Sequence, residues 1–236
     1  MKKIFVSLLI SLGLLIVMIL SINIFGKRNF EVSYNKVGYK NIIVLDPGHG
    51  GKDEGTSSAN KVLEKDLSLE ISLKLKDELI KNNFKVYLTR DSDKLLGNSI
   101  RSDIINRATF INLKNPDAFV SIHLNGLEDE NIKGVETYTR YLDNKSYALG
   151  ESIQNELSSI EYTKDRGVKT TKDRNLGILR GTISPGVLLE LGFLTNSEDE
   201  KYLVSNVGQD TIIKAILNGI LNYFEENDLR GLNEEN

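Results

Sequence analysis

The chain holds two histidines and no cysteine, and both histidines stand at the downstream ends of apolar runs. His49 follows Ile42-Ile43-Val44-Leu45-Asp46-Pro47-Gly48, and His123 follows Ala118-Phe119-Val120-Ser121-Ile122. Runs of this kind read as buried parallel strands, and in α/β sheets chemistry gathers beyond the strands' carboxyl ends. Two neutral imidazoles brought to that edge from positions 74 residues apart are candidate metal ligands. The plainer alternative is two unrelated histidines, one in a loop and one in a core. Glu64 follows His49 by fifteen residues, just ahead of a helix opening near Asp66. Alone it reads as a solvated loop charge. With the histidines it completes the two-His, one-Glu set of catalytic zinc, which leaves a fourth position for water.

Glu190 interrupts Val187-Leu188-Leu189-Glu190-Leu191-Gly192-Phe193, otherwise a buried strand. Burying an unpaired carboxylate costs several kcal/mol even after relaxation. Such a residue either pairs with an arginine, Arg180 or Arg90, or is kept as a general base beside an activated water. Asn125, just past His123, and Arg180 are candidate substrate contacts. The segment from Lys164 to Arg174 carries five cations and reads as a solvated basic loop, with gripping of substrate carboxylates as the alternative. Asp46-Pro47-Gly48-His49-Gly50-Gly51-Lys52 fails as a phosphate loop, because neither Ser nor Thr follows Lys52 and Asp53 stands where the third glycine of a dinucleotide turn belongs.

These residues need a frame to position them. Apolar runs at 42–45, 85–88, 118–123, 135–141, 177–180 and 187–191 are predicted strands. Helical spacing covers Asp66–Lys81, Ser99–Leu113, Ser146–Ser159 and Asn206–Glu226. The alternation predicts one α/β domain, with a twisted, mostly parallel sheet of about six strands and helices on both faces. The 236 residues, 40% apolar and 27% charged, suit a single folded domain. A net charge of −3 with scattered cations argues against a nucleic-acid binder, and the lack of cysteine excludes disulfides and thiolate chemistry.

Ahead of that domain, Met1-Lys2-Lys3 is followed by a largely apolar stretch from Ile4 to Phe25, then Lys27 and Arg28. Its length suits a membrane span better than the shorter core of a removed signal peptide. The expected division is an anchor over 1–28, a tether over 29–40, a catalytic domain over 41–226 and a polar tail over 227–236. The charged start favours a single pass with a cytoplasmic amino terminus and an extracytoplasmic domain, secreted if the anchor is cleaved.

Several segments together resemble one family. They are Val44 to Gly51, Glu64-Lys65-Asp66, Leu88-Thr89-Arg90, Ser121 to Asn125, Gly134 to Thr137, Arg166 to Lys169, and Leu189 to Asn196. In order, they resemble the zinc-dependent N-acetylmuramoyl-L-alanine amidases that cleave bacterial peptidoglycan. The resemblance implies His49, Glu64 and His123 as ligands of one zinc ion, Glu190 as the catalytic acid/base, and peptidoglycan as the substrate. An anchor without wall-binding repeats is similar to the architecture of the germination-specific amidases of endospore formers. That similarity implies work on the spore cortex of a sporulating cell, where stem-peptide removal lets a deacetylase form muramic δ-lactam, and it leaves room for an accessory protein. The alternatives are a vegetative cell-wall amidase, a zinc peptidase and a non-catalytic peptidoglycan-binding module.

Overall fold

A computed structural model describes residues 39–234, so the predicted anchor and all but the end of the tether lie outside the described residues. Among the described residues no helix is long and apolar enough to cross a membrane. The strands are β1 (Ile42–Pro47), β2 (Lys85–Leu88), β3 (Ala118–Asn125), β4 (Val135–Thr139), β5 (Asp165–Thr170) and β6 (Gly186–Phe193). The helices are α1 (Glu64–Lys81), α2 (Ile100–Lys114), α3 (Asn144–Ser159), α4 (Gly177–Gly181), α5 (Ser197–Leu203) and α6 (Asn206–Glu234). The last runs on into the segment expected as a polar tail.

The six strands form one sheet in the order β2-β1-β3-β6-β4-β5. Every pairing is parallel except β4 with β6, so the sheet is mixed rather than uniformly parallel. The reversal follows from chain length: β3 ends at Asn125 and β4 begins at Val135. That connection is shorter than the dozen or more residues a parallel crossover needs.

Side chains alternate between the two faces of each strand. Ile43, Leu45, Val120, Ile122, Val187 and Leu189 meet α1, α3 and α6 through Leu75, Ile153 and Ile216 in the larger core. On the opposite face Val44, Phe119, Tyr138 and Leu188 meet Ala108 and Ile111 of α2 and Ile178 and Leu179 of α4. Helices therefore cover both faces. Asp46, Ser121, His123, Glu136 and Glu190 share the strand parity of the second set, which sends the chemistry to the α2/α4 side.

Two local expectations are corrected. Gly177–Arg180 is a helical turn rather than a strand, since a four-residue apolar run does not distinguish a strand from a buried helix segment. The supposed basic loop contains edge strand β5, whose charged residues suit a sheet edge that must resist further pairing. α2 does end before Pro116, with Asn115 left-handed at φ 43°. It begins at a capping box between Ser99 and Ser102.

Candidate metal centre and catalytic cleft

At the end of β1 the backbone turns sharply, and His49 takes a left-handed φ of 60°. Two buried arginines hold that turn by its carbonyl groups. Arg107 of α2 donates to Pro47 O at 2.6 Å and to His49 O, and it pairs with Asp46 at 3.0 Å and Asp103 at 2.5 Å. Arg90 donates to Pro47 O at 3.0 Å, Gly48 O at 2.7 Å and Lys65 O at 2.6 Å. Asp46 also accepts from Thr89 and Ser121. Burial would raise its pKa, but Arg107 and the two hydroxyls hold it below the usual carboxylate range. Two glycines admit the close approach of the ligand groups. A Cβ on Gly48 would lie 2.6 Å from Nδ1 of His123, and one on Gly55 would lie 2.7 Å from Cδ2 of His49.

The three predicted ligands converge. Oε1 of Glu64 lies 3.1 Å from Nε2 of His49 and 2.9 Å from Nδ1 of His123. One ligand atom from each residue falls within 4.8 Å of the others. The imidazole rings meet edge to face, with centroids 4.9 Å apart. Glu64 is 3% exposed, and its carboxylate is fixed from behind by the backbone N–H groups of Thr56 at 2.9 Å and Leu124 at 3.0 Å. Although burial opposes ionisation, the two histidines hold Glu64 well below the usual carboxylate range. His49 is drawn the other way, to about 9. Burial alone would lower it, but the carboxylates of Glu64 and Asp53 outweigh that, the latter 3.0 Å from Nδ1. Two nitrogens and one oxygen, without sulfur and with the carboxylate pre-oriented, fit a catalytic zinc site.

Glu190 stands opposite His123 in the β3–β6 register and opposite Glu136 in the β6–β4 register, so the three side chains form a row across the sheet. Just past this row the β3–β6 register shifts between His123 and Asn125, a bulge of the kind that re-aims side chains beside sites. Glu190 is 3% exposed. Its Oε1 accepts from Nη1 of Arg174 at 2.9 Å, while Oε2 is buried with no hydrogen-bond partner. Burial lifts its pKa to about 7, with His123 and Arg174 pulling down and Glu64 and Glu136 pushing up. A carboxyl titrating there suits proton transfer near neutral pH.

The ion-pair partner of Glu190 is Arg174, not Arg180 or Arg90. Arg180 is exposed, donates to Thr171 O at 3.2 Å, and is not brought to the cleft. Asn125 donates to Oε1 of Glu136 at 3.0 Å. Glu136 was not singled out as a site residue by sequence reasoning. It is 2% exposed and also binds Tyr138 at 2.9 Å, Arg166 at 2.6 Å and Lys169 at 2.5 Å. Burial would raise its pKa, but Lys169, Arg166 and Tyr138 hold it down. A Glu at the second position of a strand pattern, followed by cations near Arg166, was its available signal. His49, His123, Glu190 and Arg174 all line one cleft of about 230 Å³, walled on the other side by Ile104 of α2 and Leu176 ahead of α4.

Comparison with known proteins agrees in one direction. The family model of the N-acetylmuramoyl-L-alanine amidases called Amidase_3 matches residues 43–222. The probable cell wall amidase LytH of Staphylococcus epidermidis is 35% identical over 184 residues, covering 77% of this chain. The match spans only 58% of that relative's length. The germination-specific N-acetylmuramoyl-L-alanine amidase of Bacillus subtilis is 35% identical over 196 residues, covering 78% of this chain and 80% of its own. Among solved structures, the CwlD amidase of Clostridioides difficile, in complex with the GerS lipoprotein, superposes with a TM-score of 0.74 at 34% identity. That superposition covers 78% of this chain and 98% of the other.

Proposed function

The chain belongs to the N-acetylmuramoyl-L-alanine amidase family, and from that premise we propose that it hydrolyses the amide joining N-acetylmuramic acid to L-alanine in peptidoglycan. The observation that carries this reading is a cleft lined together by His49, His123 and Glu190, with Glu64 clustered on the two histidines and Glu190 a buried carboxylate with one bare oxygen. Zinc, held by His49, Glu64 and His123, would supply Lewis-acid polarisation of the scissile carbonyl and acidify the attacking water. As a ligand Glu64 would offset one of the metal's two charges, and without metal its Oε1 holds the ring nitrogens of His49 and His123 together. Glu190 takes the water's proton on Oε2, the oxygen Arg174 leaves free, and passes it to the departing L-alanine amine.

The finer reading is a cortex amidase held at the membrane through residues 1–28, with its domain outside the cytoplasm. Its products would feed a deacetylase. The likeness to a germination-specific relative supports the cortex assignment, and the relative solved with a lipoprotein supports help from an accessory protein. Digestion of purified vegetative and cortex peptidoglycan by the zinc-loaded full chain, read by mass spectrometry, tests it. Release of intact stem peptides chiefly from cortex is expected. Equal release from both would make it a general cell-wall amidase, and release of single amino acids would make it a peptidase.

A further inference from the structure

The basic segment from Lys164 to Arg174 is not a solvated loop: three of its cations converge on the carboxylate row. Arg166 and Lys169 share Oε2 of Glu136, and Arg174 takes Oε1 of Glu190. Three positive charges thus meet two negative ones, leaving the row one charge positive. The surplus is accessible at Arg174. Its side chain is 48% exposed and lines the cleft, with the guanidinium 5.8 Å from the Tyr138 ring centroid. A guanidinium carries five N–H donors in a planar fork, and Glu190 takes one through Nη1. The Tyr138 hydroxyl also interacts with this guanidinium, and the N–H donors left over suit a substrate carboxylate, which arginine favours in a bidentate fork.

Resting on the amidase reading above, we propose that Arg174 is a specificity residue that takes a carboxylate of the substrate's stem peptide, so that the cleft selects acidic over amidated peptides. The same side chain then holds Glu190 with one nitrogen and the peptide with others. This places the scissile amide beside the bare Oε2. Arg166 and Lys169, neutralising Glu136 behind it, keep the row from repelling an anion.

The test uses the zinc-loaded full chain and two N-acetylmuramoyl-tripeptides that differ only in whether the glutamyl α-carboxylate is free or amidated. A charge-assisted, bidentate contact is expected to favour the free acid by at least about tenfold in kcat/KM, mostly through KM. In Arg174→Gln the ratio should collapse toward one, whatever happens to the absolute rates. Arg174→Lys keeps the charge but loses the fork and should fall between. Zinc content and Tm, measured alongside, report folding. No preference in the wild type, or an Arg174→Gln variant that slows on both substrates while keeping the wild-type ratio, overturns the proposal. So does an Arg174→Lys ratio equal to the wild type's. Failure of the wild type to cleave either substrate and to release stem peptides from purified peptidoglycan overturns the amidase reading instead.

Discussion

Replacing Glu190 by Gln should make the metal-free fold more stable at neutral pH while abolishing turnover. In the folded chain Glu190 titrates near 7 against an ordinary 4.5, because burial penalises its charge. At about 1.4 kcal/mol per pH unit, holding that carboxylate ionised costs the fold about 3 kcal/mol. The sign follows from the raised value. Below pH 4.5 both folded and unfolded chains carry the proton, and the acid costs nothing. Between 4.5 and about 7 the unfolded chain ionises first and folding stability falls. Above about 7 the whole penalty is present. Gln does not titrate, so the variant's advantage over wild type should grow by about 3 kcal/mol from pH 4 to pH 8. The lost Arg174 contact, to a half-exposed guanidinium, subtracts about 0–1 kcal/mol. Chelated protein is required, since a nearby cation would itself favour the carboxylate. Urea denaturation of both chelated proteins at the two pH values reads the effect. A stability difference that does not change with pH would refute the claim that desolvation poises this residue.

Three further outcomes follow from the packing around the cleft. Glu64→Ala removes the oxygen shared by both imidazoles and should weaken zinc binding beyond the ~10–100-fold typical of lost outer partners; metal analysis after dialysis against a weak chelator checks this. Gly48→Ala would drive a Cβ into the His123 ring and should cost about 1–3 kcal/mol of stability together with zinc affinity, read by thermal melts and chelator competition. Arg107→Met strands Asp46 and Asp103 as buried charges and frees the Pro47 and His49 carbonyls, so urea denaturation should show a loss of about 3–5 kcal/mol; a loss below about 1 kcal/mol would contradict the clamp.

How far the sequence carried the account differs by residue. His49, His123 and Glu190 were legible as candidates because each is a polar group ending or interrupting an apolar strand, whereas Glu64 reads alone as a loop charge and drew attention only beside the two histidines. The α/β alternation was legible too, since buried parallel strands and amphipathic helices have distinct periods. The strand order was not, because it depends on which strand slots between β3 and β4, and β6 arrives from more than 45 residues later. Arg107 looks like an ordinary surface cation in one dimension, and Arg90 stands out only as a possible partner for Glu190. Only the turn they clamp, donating to the carbonyls of Pro47, Gly48 and His49, gives them a role. Arg174 was hidden among its basic neighbours, and its partner had been sought in Arg180 or Arg90. Arg174 lies in the turn after the six-residue edge strand β5, where no period shows which way a cation points.

Isotope tracing tests the central claim most directly. The zinc-loaded full chain is given an N-acetylmuramoyl-tripeptide in water enriched in oxygen-18, and both products are weighed by mass spectrometry, with Glu190→Gln as the parallel sample. The account predicts one heavy oxygen in the lactyl carboxylate of the muramic acid, an intact unlabelled tripeptide with a free L-alanine amine, and no turnover by the variant. Label in a peptide carboxylate, or undiminished cleavage by Glu190→Gln, would contradict it.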